Sequence, residues 1–304
     1  MKRRNFIKQL GGASALAMVG GFTLPSFTEQ QKRHITILHT NDTHSQIEPF
    51  KPNHNRNPNK GGVARRATLI EQIRSENKNT LLLDAGDIFQ GTPYFNYFGG
   101  ELEFKLMSLL KYDVATIGNH DFDNSIEGLY KQLPNAKFDF VSANYDFKNT
   151  VLDTHVKPYK IMVKDGIKIG IFGLGIELEG LVSKKMYKET AYLDPIEVTQ
   201  DITDQLKNEE NCDLIICLSH LGYNYKRDSK KISDLNLAKN TKNIDLIIGG
   251  HTHTFLPKPT LVKNLDDKNV LVNQVGAYGI NLGRIDFYFD ELKNKSSKGT
   301  TILV

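Results

Sequence analysis

The sequence predicts a layered α/β fold in which mixed β-sheets are sandwiched by helices. Short apolar runs alternate along the chain with amphipathic stretches of helical spacing. Several of these runs are apolar throughout, which is typical of strands covered by helices on both faces of a sheet. Two β-rich runs flank Asp165 and Gly166, a pair that favours a two-residue hairpin. The sheets should therefore contain antiparallel as well as parallel strands.

The predicted elements follow one another in a regular order. Strands are expected at residues 34–39, 80–84, 113–117 and 137–143, with helices between them at 62–75, 101–110 and 125–133. The hairpin spans residues 159–174, and a further helix is expected at 195–208. Apolar strands follow at 212–218 and 244–248, and residues 269–289 supply two more strands joined through Gly276 and Gly279. No internal repeat interrupts this order.

Composition and charge are those of an ordinary globular protein. At 304 residues, 39% hydrophobic and 24% charged, the chain can bury a sizeable core. The formal net charge of +4 is small, so it predicts neither a nucleic-acid polymer nor a membrane surface as a partner. Cys212 and Cys217 lie in or beside one strand, roughly 16 Å apart along it, whereas a disulfide needs Cα atoms within about 7 Å. Both cysteines are expected to be free, buried thiols.

The N-terminus has the pattern of a targeting segment. A basic stretch, KRRNFIK at residues 2–8, precedes a Gly-rich, mildly apolar run at 10–27 that is too short for a stable membrane span. The paired arginines followed by Phe, Ile and Lys resemble a twin-arginine export signal, with a general secretory signal or an uncleaved anchor as alternatives. We interpret residues 1–30 as an export signal and residues 31–304 as the folded domain of a periplasmic or cell-envelope protein.

Polar clusters follow five of the predicted strands, at the point where each strand ends. They contain Asp, Asn and His side chains, namely Asp42 and His44, Asp87, Asn119, His220, and His251 with His253. The carboxyl ends of strands in an open α/β sheet meet at one edge, so these clusters can converge on a single site. Such side chains suit Zn²⁺, Mn²⁺ or Fe²⁺. Seven ligands are too many for one catalytic ion and suit two ions about 3.5–4 Å apart that share a carboxylate and a hydroxide.

Several neighbouring residues have simpler interpretations. His39, at the end of the first strand, is expected to pack in the core, and Asp84 is expected to support Asp87 or cap the backbone. Asp121 is expected to face solvent or a neighbouring loop. The Asn- and Pro-rich residues 49–62 predict a mobile surface loop, and because they follow the first cluster directly they should lie at the rim of the site.

Taken together, the motifs resemble the calcineurin-like metallophosphoesterases, and within them the 5′-nucleotidase and UDP-sugar hydrolase group. The resemblance covers residues 34–290 and rests on these segments: ILHTNDTH at 37–44, GGVAR at 61–65, GDIFQGTP at 86–93, GNHDFD at 118–123, SAN at 142–144, SH at 219–220 and GGHTH at 249–253. It implies a four-layer fold and a two-metal phosphoester hydrolase. The resemblance is specific to this group because it rests on seven motifs in the same order and not on any one of them alone.

The resemblance also implies a role for each position. Asp42, His44 and His253 would bind the first ion, although close relatives often have Gln at the last position. Asn119, His220 and His251 would bind the second ion, and Asp87 would bridge both. Zn²⁺ or Mn²⁺ is the expected metal, with Fe or Co as alternatives. A hydroxide held between the ions would attack phosphorus, because two cations lower the pKa of a shared water.

His120 and Asp123 match the catalytic dyad of the group. The resemblance places His120 near the phosphate and the leaving-group oxygen, with Asp123 orienting its imidazole. His120 could then stabilise charge on the phosphoryl oxygens or, if protonated, donate to the leaving alkoxide.

The resemblance also leads us to expect a departure from the group, namely that no counterpart of its usual C-terminal domain follows residue 290. In relatives that domain sandwiches the base between aromatic rings and supplies arginines. We therefore expect either a separately encoded substrate-binding domain or an enzyme that is less selective among small phosphorylated substrates. The first hypothesis is a 5′-nucleotidase-like phosphomonoesterase in nucleotide catabolism.

Two other classes stay open. One is a related hydrolase that acts as a UDP-sugar or NAD pyrophosphatase, a 2′,3′-cyclic phosphodiesterase or a sulfur-oxidation thiohydrolase. The other is a metal-binding adaptor without turnover, against which the intact His120 and Asp123 argue.

Overall fold

Two six-stranded mixed sheets form the centre of the structure, a computed structural model that describes residues 33–228 and 231–304. The export signal predicted at residues 1–30 lies outside the described residues. The strands, in chain order, are β1 (Arg33–Thr40), β2 (Thr80–Asp84), β3 (Val114–Ala115), β4 (Asp139–Phe140), β5 (Tyr145–Asp146), β6 (Tyr159–Lys164), β7 (Ile167–Leu174), β8 (Ala191–Tyr192), β9 (Leu214–Ser219), β10 (Leu246–Gly249), β11 (Thr260–Lys263), β12 (Asn269–Asn273), β13 (Asn281–Phe289) and β14 (Lys295–Leu303). The α-helices are α1 (Val63–Glu76), α2 (Pro93–Phe98), α3 (Glu101–Leu109), α4 (Ser125–Gln132), α5 (Lys184–Tyr187), α6 (Pro195–Asp204) and α7 (Asp234–Asn240).

Each sheet has a parallel centre and antiparallel edges. The first sheet has the order β14-β13-β1-β2-β3-β4, and β1 to β4 run parallel while β13 and β14 are antiparallel to their neighbours. The second has the order β11-β12-β10-β9-β7-β6, in which the hairpin strand β6 and the edge strand β11 are the antiparallel members. The parallel strands end at a common edge in each sheet, and the functional loops start there.

The sheets pack face to face, and helices cover their outer faces. Successive side chains of a strand point to opposite faces of the sheet. Ile35 and Ile37 of β1 therefore pack against the second sheet, whereas Leu38 packs against the helices. Ile169 of β7 and Ile216 of β9 meet them from the other side. Helices α1, α3 and α4 cover the first sheet, and α6 and α7 cover the second. This arrangement of helix, sheet, sheet and helix confirms the predicted four-layer α/β fold.

The bounds of some predicted strands and helices agree closely with the structure, and those of others differ. The strand at 80–84 and the hairpin turning at Asp165 and Gly166 are confirmed. The strands predicted at 113–117 and 137–143 are shorter, because only two residues of each form ladder bonds. The predicted helix at 195–208 is α-helical to Asp204 and continues as a π-helical turn over Gln205–Glu209.

Strand β14 was not predicted, and its composition explains why. It contains the polar run KSSKGTT, lacks a buried face and pairs only with β13 at the edge of the sheet. Its pairing is thus decided by the neighbouring strand and not by hydrophobic alternation. The prediction of two free, buried cysteines is confirmed. Among the described residues, no helix has the length and apolar character needed to cross a membrane.

The interface between the sheets should dominate stability. Ile216 is fully buried there, so Ile216→Ala should lower the free energy of unfolding by about 2–5 kcal/mol through lost burial and the cavity left behind. Leu261, on edge strand β11 and 62% exposed, is the matched control, and Leu261→Ala should stay within about 0.5 kcal/mol. Urea unfolding of both variants measures the difference, and equal losses would contradict this assignment of the core.

Candidate metal centre

The candidate site forms where loops from both sheets meet. The loops after β1 and β2 lie side by side and share backbone hydrogen bonds: the Asp42 N–H donates to the Gly86 carbonyl (2.9 Å) and the His44 N–H to the Asp87 carbonyl (3.1 Å). The loops after β9 and β10 bring His220, His251 and His253 from the second sheet. The structure therefore confirms that the ends of these strands converge on one site.

Five of the seven predicted ligands have a left-handed backbone. The φ angles are 49° for Asp42, 48° for His44, 54° for Asp87, 69° for His251 and 49° for His253. Each such residue costs on the order of 1–3 kcal/mol unless its surroundings hold it, and residues of this kind concentrate at functional sites. The conformation turns each side chain inward immediately after its strand.

The first group consists of Asp42, His44 and His253. Nε2 of His253 lies 3.0 Å from Nε2 of His44 and 3.3 Å from Oδ1 of Asp42, and the His44 nitrogen is 3.9 Å from the same oxygen. Ligands bound at about 2.0–2.2 Å to one ion lie within about 4.4 Å of each other, so one ion fits among these three atoms. Nδ1 of His44 faces the carbonyls of Phe89 and Gln90, which assigns the proton to Nδ1 and leaves the Nε2 lone pair for a metal.

The second group consists of Asp87, His220 and His251, with Asn119 beside them. Nδ1 of His220 donates to the Ala85 carbonyl at 2.7 Å. Its Nε2 lies 3.0 Å from Oδ2 of Asp87 and has no hydrogen-bond partner among the described residues. A fully buried nitrogen aimed at a carboxylate in this way fits a metal ligand. Oδ1 of Asn119 lies 2.9 Å from Nδ1 of His251, so the amide adjoins the same group.

The two groups adjoin and share their carboxylates. Oδ2 of Asp87 is 3.9 Å from Nε2 of His44 in the first group, and Oδ1 of Asp42 is 3.9 Å from Nε2 of His220 in the second. Both Asp42 and Asp87 are buried. Two adjacent ions sharing a central carboxylate, as the sequence predicted, are therefore compatible with the positions of all seven side chains.

The electrostatics of the centre favour positive charge beside Asp87. Burial alone would raise the pKa of Asp87, but His220 and then His44 hold that pKa below its ordinary value. Burial opposes protonation of His220, yet the Asp87 carboxylate raises the pKa of His220 to about 10. Burial, and then His220, lowers the pKa of His251 to about 4, and burial lowers the pKa of His44. The neutral imidazoles of His44 and His251 are the form that binds metals.

The predicted dyad lies at the open side of this centre. His120 and Asp123 are on one turn of 3₁₀-helix, and Nδ1 of His120 lies 2.8 Å from Oδ2 of Asp123. The hydrogen bond with Asp123 raises the pKa of His120. The imidazole is 39% exposed, and its ring centroid is 5.3 Å from that of His44. The pair is therefore placed to reach a molecule bound over the two groups of ligands.

Asp121 faces a neighbouring loop, which is one of the two predicted alternatives, and it does not face solvent. Its carboxylate is buried and accepts hydrogen bonds from the backbone N–H groups of Asp87, Ile88, Phe89 and Gly118, at 2.8–3.1 Å. It thereby fixes the loop that carries Asp87 to the loop that carries Asn119. Its position between the dyad members in GNHDFD was the only signal in the sequence.

Asn41 is another anchor that sequence reasoning did not assign. Its side-chain amide donates to Oδ2 of Asp42 and to the Gly276 carbonyl, both at 2.6 Å, and its Oδ1 accepts from the Val275 N–H. Asp42 is thereby tied to the turn between β12 and β13. Because that turn is more than 230 residues away in the chain, no local pattern could reveal the contact.

The predictions for His39 and Asp84 are confirmed. His39 is fully buried, packs against Gly283 of β13 and has its Nε2 2.9 Å from Nδ2 of Asn273. Burial lowers the pKa of His39 to about 3, so this imidazole is neutral. Asp84 accepts hydrogen bonds from the Gly86 N–H and the Thr40 hydroxyl, and supports the Asp87 loop from behind.

Comparison with known proteins identifies the family. The calcineurin-like phosphoesterase family model matches residues 35–255. The chain is 35% identical over 289 residues to a trifunctional nucleotide phosphoesterase of Bacillus subtilis, covering 84% of this chain and 18% of that protein. It is also 35% identical over 300 residues to the venom 5′-nucleotidase of Crotalus adamanteus, covering 89% of this chain and 48% of the relative.

A solved structure agrees with these matches. The 5′-nucleotidase precursor of Thermus thermophilus superposes with a TM-score of 0.80 at 35% identity, covering 90% of this chain and 55% of the other. The family and fold that the motifs predicted are therefore confirmed. The chain spans about half the length of the two 5′-nucleotidases and a fifth of the Bacillus protein.

The role of Asp121 as an anchor can be tested separately from any activity. Asp121→Ala leaves several buried N–H groups without an acceptor, at about 1–3 kcal/mol each, so we expect at least about 3 kcal/mol of destabilisation. We also expect the purified variant to retain less divalent metal than the wild type, since the Asp87 loop loosens. Asp153→Ala, at an exposed aspartate, is the control. Calorimetry and elemental analysis measure both effects, and unchanged stability would contradict the anchoring role.

Proposed function

Because the chain belongs to the calcineurin-like phosphoesterase family, we propose that it hydrolyses phosphate monoesters, with nucleotides as the substrate class and two divalent ions as cofactors. The observation that carries the proposal is the pair of adjoining ligand groups with shared carboxylates, placed beside the His120–Asp123 pair. A purely structural role for the histidines would not require ring nitrogens of His44, His220 and His253 to cluster around two buried carboxylates. The 5′-nucleotidases among the relatives support nucleotides as the substrate class.

Each side chain has a role in this proposal. Asp42, His44 and His253 would hold one ion and His220 and His251, with the adjoining Asn119, the other, while Asp87 is near enough to both groups to contribute to each. When bound, the ions supply the positive charge that activates a water molecule and offsets the charge of the phosphoryl group. Zn²⁺ or Mn²⁺ suits this mixture of imidazole, carboxylate and amide ligands, with Fe or Co as alternatives.

The chain's own residues contribute the remaining chemistry. Asp123 accepts a hydrogen bond from Nδ1 of His120, orients the ring and raises the pKa of His120, which favours its protonated form. Nε2 of His120 can then donate a hydrogen bond to a phosphoryl oxygen or a proton to the leaving alkoxide. Asn119, buried beside His251, is placed to donate through its amide to the same oxygens.

A second candidate is hydrolysis of another phosphoester or pyrophosphate bond of a nucleotide. The relative described as a trifunctional nucleotide phosphoesterase favours it, since that name denotes more than one activity on nucleotides within one protein. A substrate panel containing AMP, a 2′,3′-cyclic nucleotide, a UDP-sugar and NAD distinguishes the candidates. The thiohydrolase and adaptor alternatives have no comparable support, and the paired His120 and Asp123 argue against an adaptor.

The location and the partners form part of the same proposal. Residues 1–30 act as an export signal, which would place residues 31–304, the catalytic domain, in the periplasm or cell envelope. The matched relatives extend well beyond the region they share with this chain. We therefore retain the hypothesis that a separately encoded substrate-binding domain works with this catalytic domain.

The metal requirement gives the first test. Purified protein should hold close to two divalent ions, and a chelator should abolish hydrolysis. Asp87→Asn should reduce the metal content most, because it removes the negative charge shared between two cations. Elemental analysis and turnover of p-nitrophenyl phosphate measure both properties, with Asp153→Asn as the surface control. Full activity in metal-free protein would refute the proposal.

The dyad gives a test that separates chemistry from metal binding. His120→Ala should retain both ions, because none of the proposed ligands is removed. Turnover should fall by about 10²–10⁴, the usual contribution of one positioned acid or hydrogen-bond donor. His155→Ala, at an exposed histidine, should leave both properties unchanged. Loss of metal together with activity in His120→Ala would mean that His120 is a ligand and that the assignment is wrong.

A further inference from the structure

An open cavity of about 740 Å³ adjoins the first group of ligands. Three segments line it: the loop at residues 49–62 with Phe50, His54 and Arg56, the segment with His253 and Phe255, and the turn with Tyr278. His253 belongs to both the cavity wall and the candidate metal centre. A molecule whose phosphate lies over the ligands can therefore extend directly into this cavity. The predicted position of the loop at the rim of the site is confirmed.

Aromatic rings lead from the ligands into the cavity. The ring centroid of Tyr278 lies 5.7 Å from those of both His44 and His253. Phe50 contacts Tyr278 edge-on at 5.9 Å, and His54 contacts Phe50 at 4.5 Å. Tyr278 therefore contacts two of the candidate ligands directly, and Phe50 and His54 extend the row of rings away from them.

Phe255 presents a second aromatic surface. One side of its ring packs over Gly276, so closely that a Cβ at that position would overlap it. The side chain is nevertheless 52% exposed. A single exposed apolar ring is ordinary in itself, but this one is held against the backbone and lines the same cavity as Phe50 and Tyr278. Phe255 therefore has the features of a stacking platform.

The backbone around these rings is held in place. Tyr278 has a φ of 63°, unusual for a bulky residue, and its N–H donates to the Asp42 carbonyl at 2.7 Å. The loop is closed by hydrogen bonds between Phe50 and the backbones of Asn59 and Lys60, and Nδ1 of His54 accepts from the Asn57 N–H. The rings are thus positioned relative to the metal loop before any ligand binds, which lowers the entropic cost of binding.

We propose that this rim cavity, lined by Phe50, His54, Arg56, Phe255 and Tyr278, binds the planar base of a nucleoside monophosphate whose phosphate lies at the candidate metal centre. The inference rests on the proposed function and adds a base-binding subsite within this domain. Stacking on aromatic rings accepts any base, because every base has a π-face. Arg56 adds a planar guanidinium that can stack on a base or donate to its acceptor atoms. The subsite should favour nucleotides over base-free phosphates and discriminate poorly among AMP, GMP and UMP.

The test compares two substrates that differ only in the base, AMP and ribose 5-phosphate, on the metal-loaded full chain. Wild-type kcat/KM should be at least tenfold higher for AMP. Phe255→Ala should lower the ratio of the two kcat/KM values at least threefold, whereas Phe255→Tyr should preserve it because the aromatic face remains. Tyr130→Ala, at an exposed aromatic residue on α4 outside the cavity, should leave the ratio unchanged.

The possible outcomes separate this inference from the proposed function. A wild-type ratio near one would overturn the subsite, and so would a high ratio that Phe255→Ala and Phe50→Ala both leave intact. Failure to hydrolyse either compound would instead refute the phosphomonoesterase proposal. In that case calorimetric titration with adenosine still tests the cavity: binding that weakens at least threefold in Phe255→Ala and not in Phe255→Tyr supports it, and equal or absent binding overturns it.

Discussion

The geometry of the centre depends on the hydrogen bond between the His220 imidazole and the Ala85 carbonyl, because this bond joins the second sheet to the first. His220 follows β9 of the second sheet, is fully buried, and donates from Nδ1 to the Ala85 carbonyl beyond β2 of the first sheet. Gly118 and Gly250 lie so close to the ring that a Cβ at either position would overlap it. The ring therefore fills the space between the loops that follow β3 and β10 and ties the two sheets together at this edge.

The buried carboxylates impose a second constraint, since burying charge without a partner is costly. Asp42 and Asp87 lie among imidazoles of His44, His220 and His253. Against the opposing effect of burial, the Asp87 carboxylate raises the pKa of His220 to about 10, whereas burial, and then the neighbouring His220, lowers the pKa of His251 to about 4. Metal ions and protons compete for the position beside Asp87, so metal binding and proton release are linked.

The left-handed backbone conformations of the proposed ligands are energetically unfavourable, and surrounding hydrogen bonds stabilise them. Asp121 binds the loops after β2 and β3, Asn41 binds Asp42 to the turn before β13, and Asp84 caps the Asp87 loop from behind. None of these residues needs to touch a substrate. They hold in place the backbone conformations that direct the ligands inward, and thereby connect the packing of the fold to the chemistry proposed for the site.

The sequence by itself determined the fold class, the family and the identity of the residues at the centre. The family followed from the resemblance of the motifs, such as those at 37–44, 118–123 and 249–253. Apolar strands that end in Asp, Asn and His residues sufficed to predict that these residues converge, because strand ends in parallel sheets meet by topology and not by fine geometry. It did not reveal β14, whose pairing with β13 depends on a neighbouring strand and not on its own pattern.

The tertiary structure decided what depends on distant contacts. The sequence left open whether Asp121 faces solvent or a neighbouring loop, and the fold places four backbone N–H groups around its carboxylate. The role of Asn41 depends on hydrogen bonds to Val275 and Gly276, in a turn far away in the chain. The rim cavity likewise joins Phe50 to Tyr278 across more than 200 residues. Local periodicity records how a segment packs, whereas such contacts arise only when separate segments meet in three dimensions.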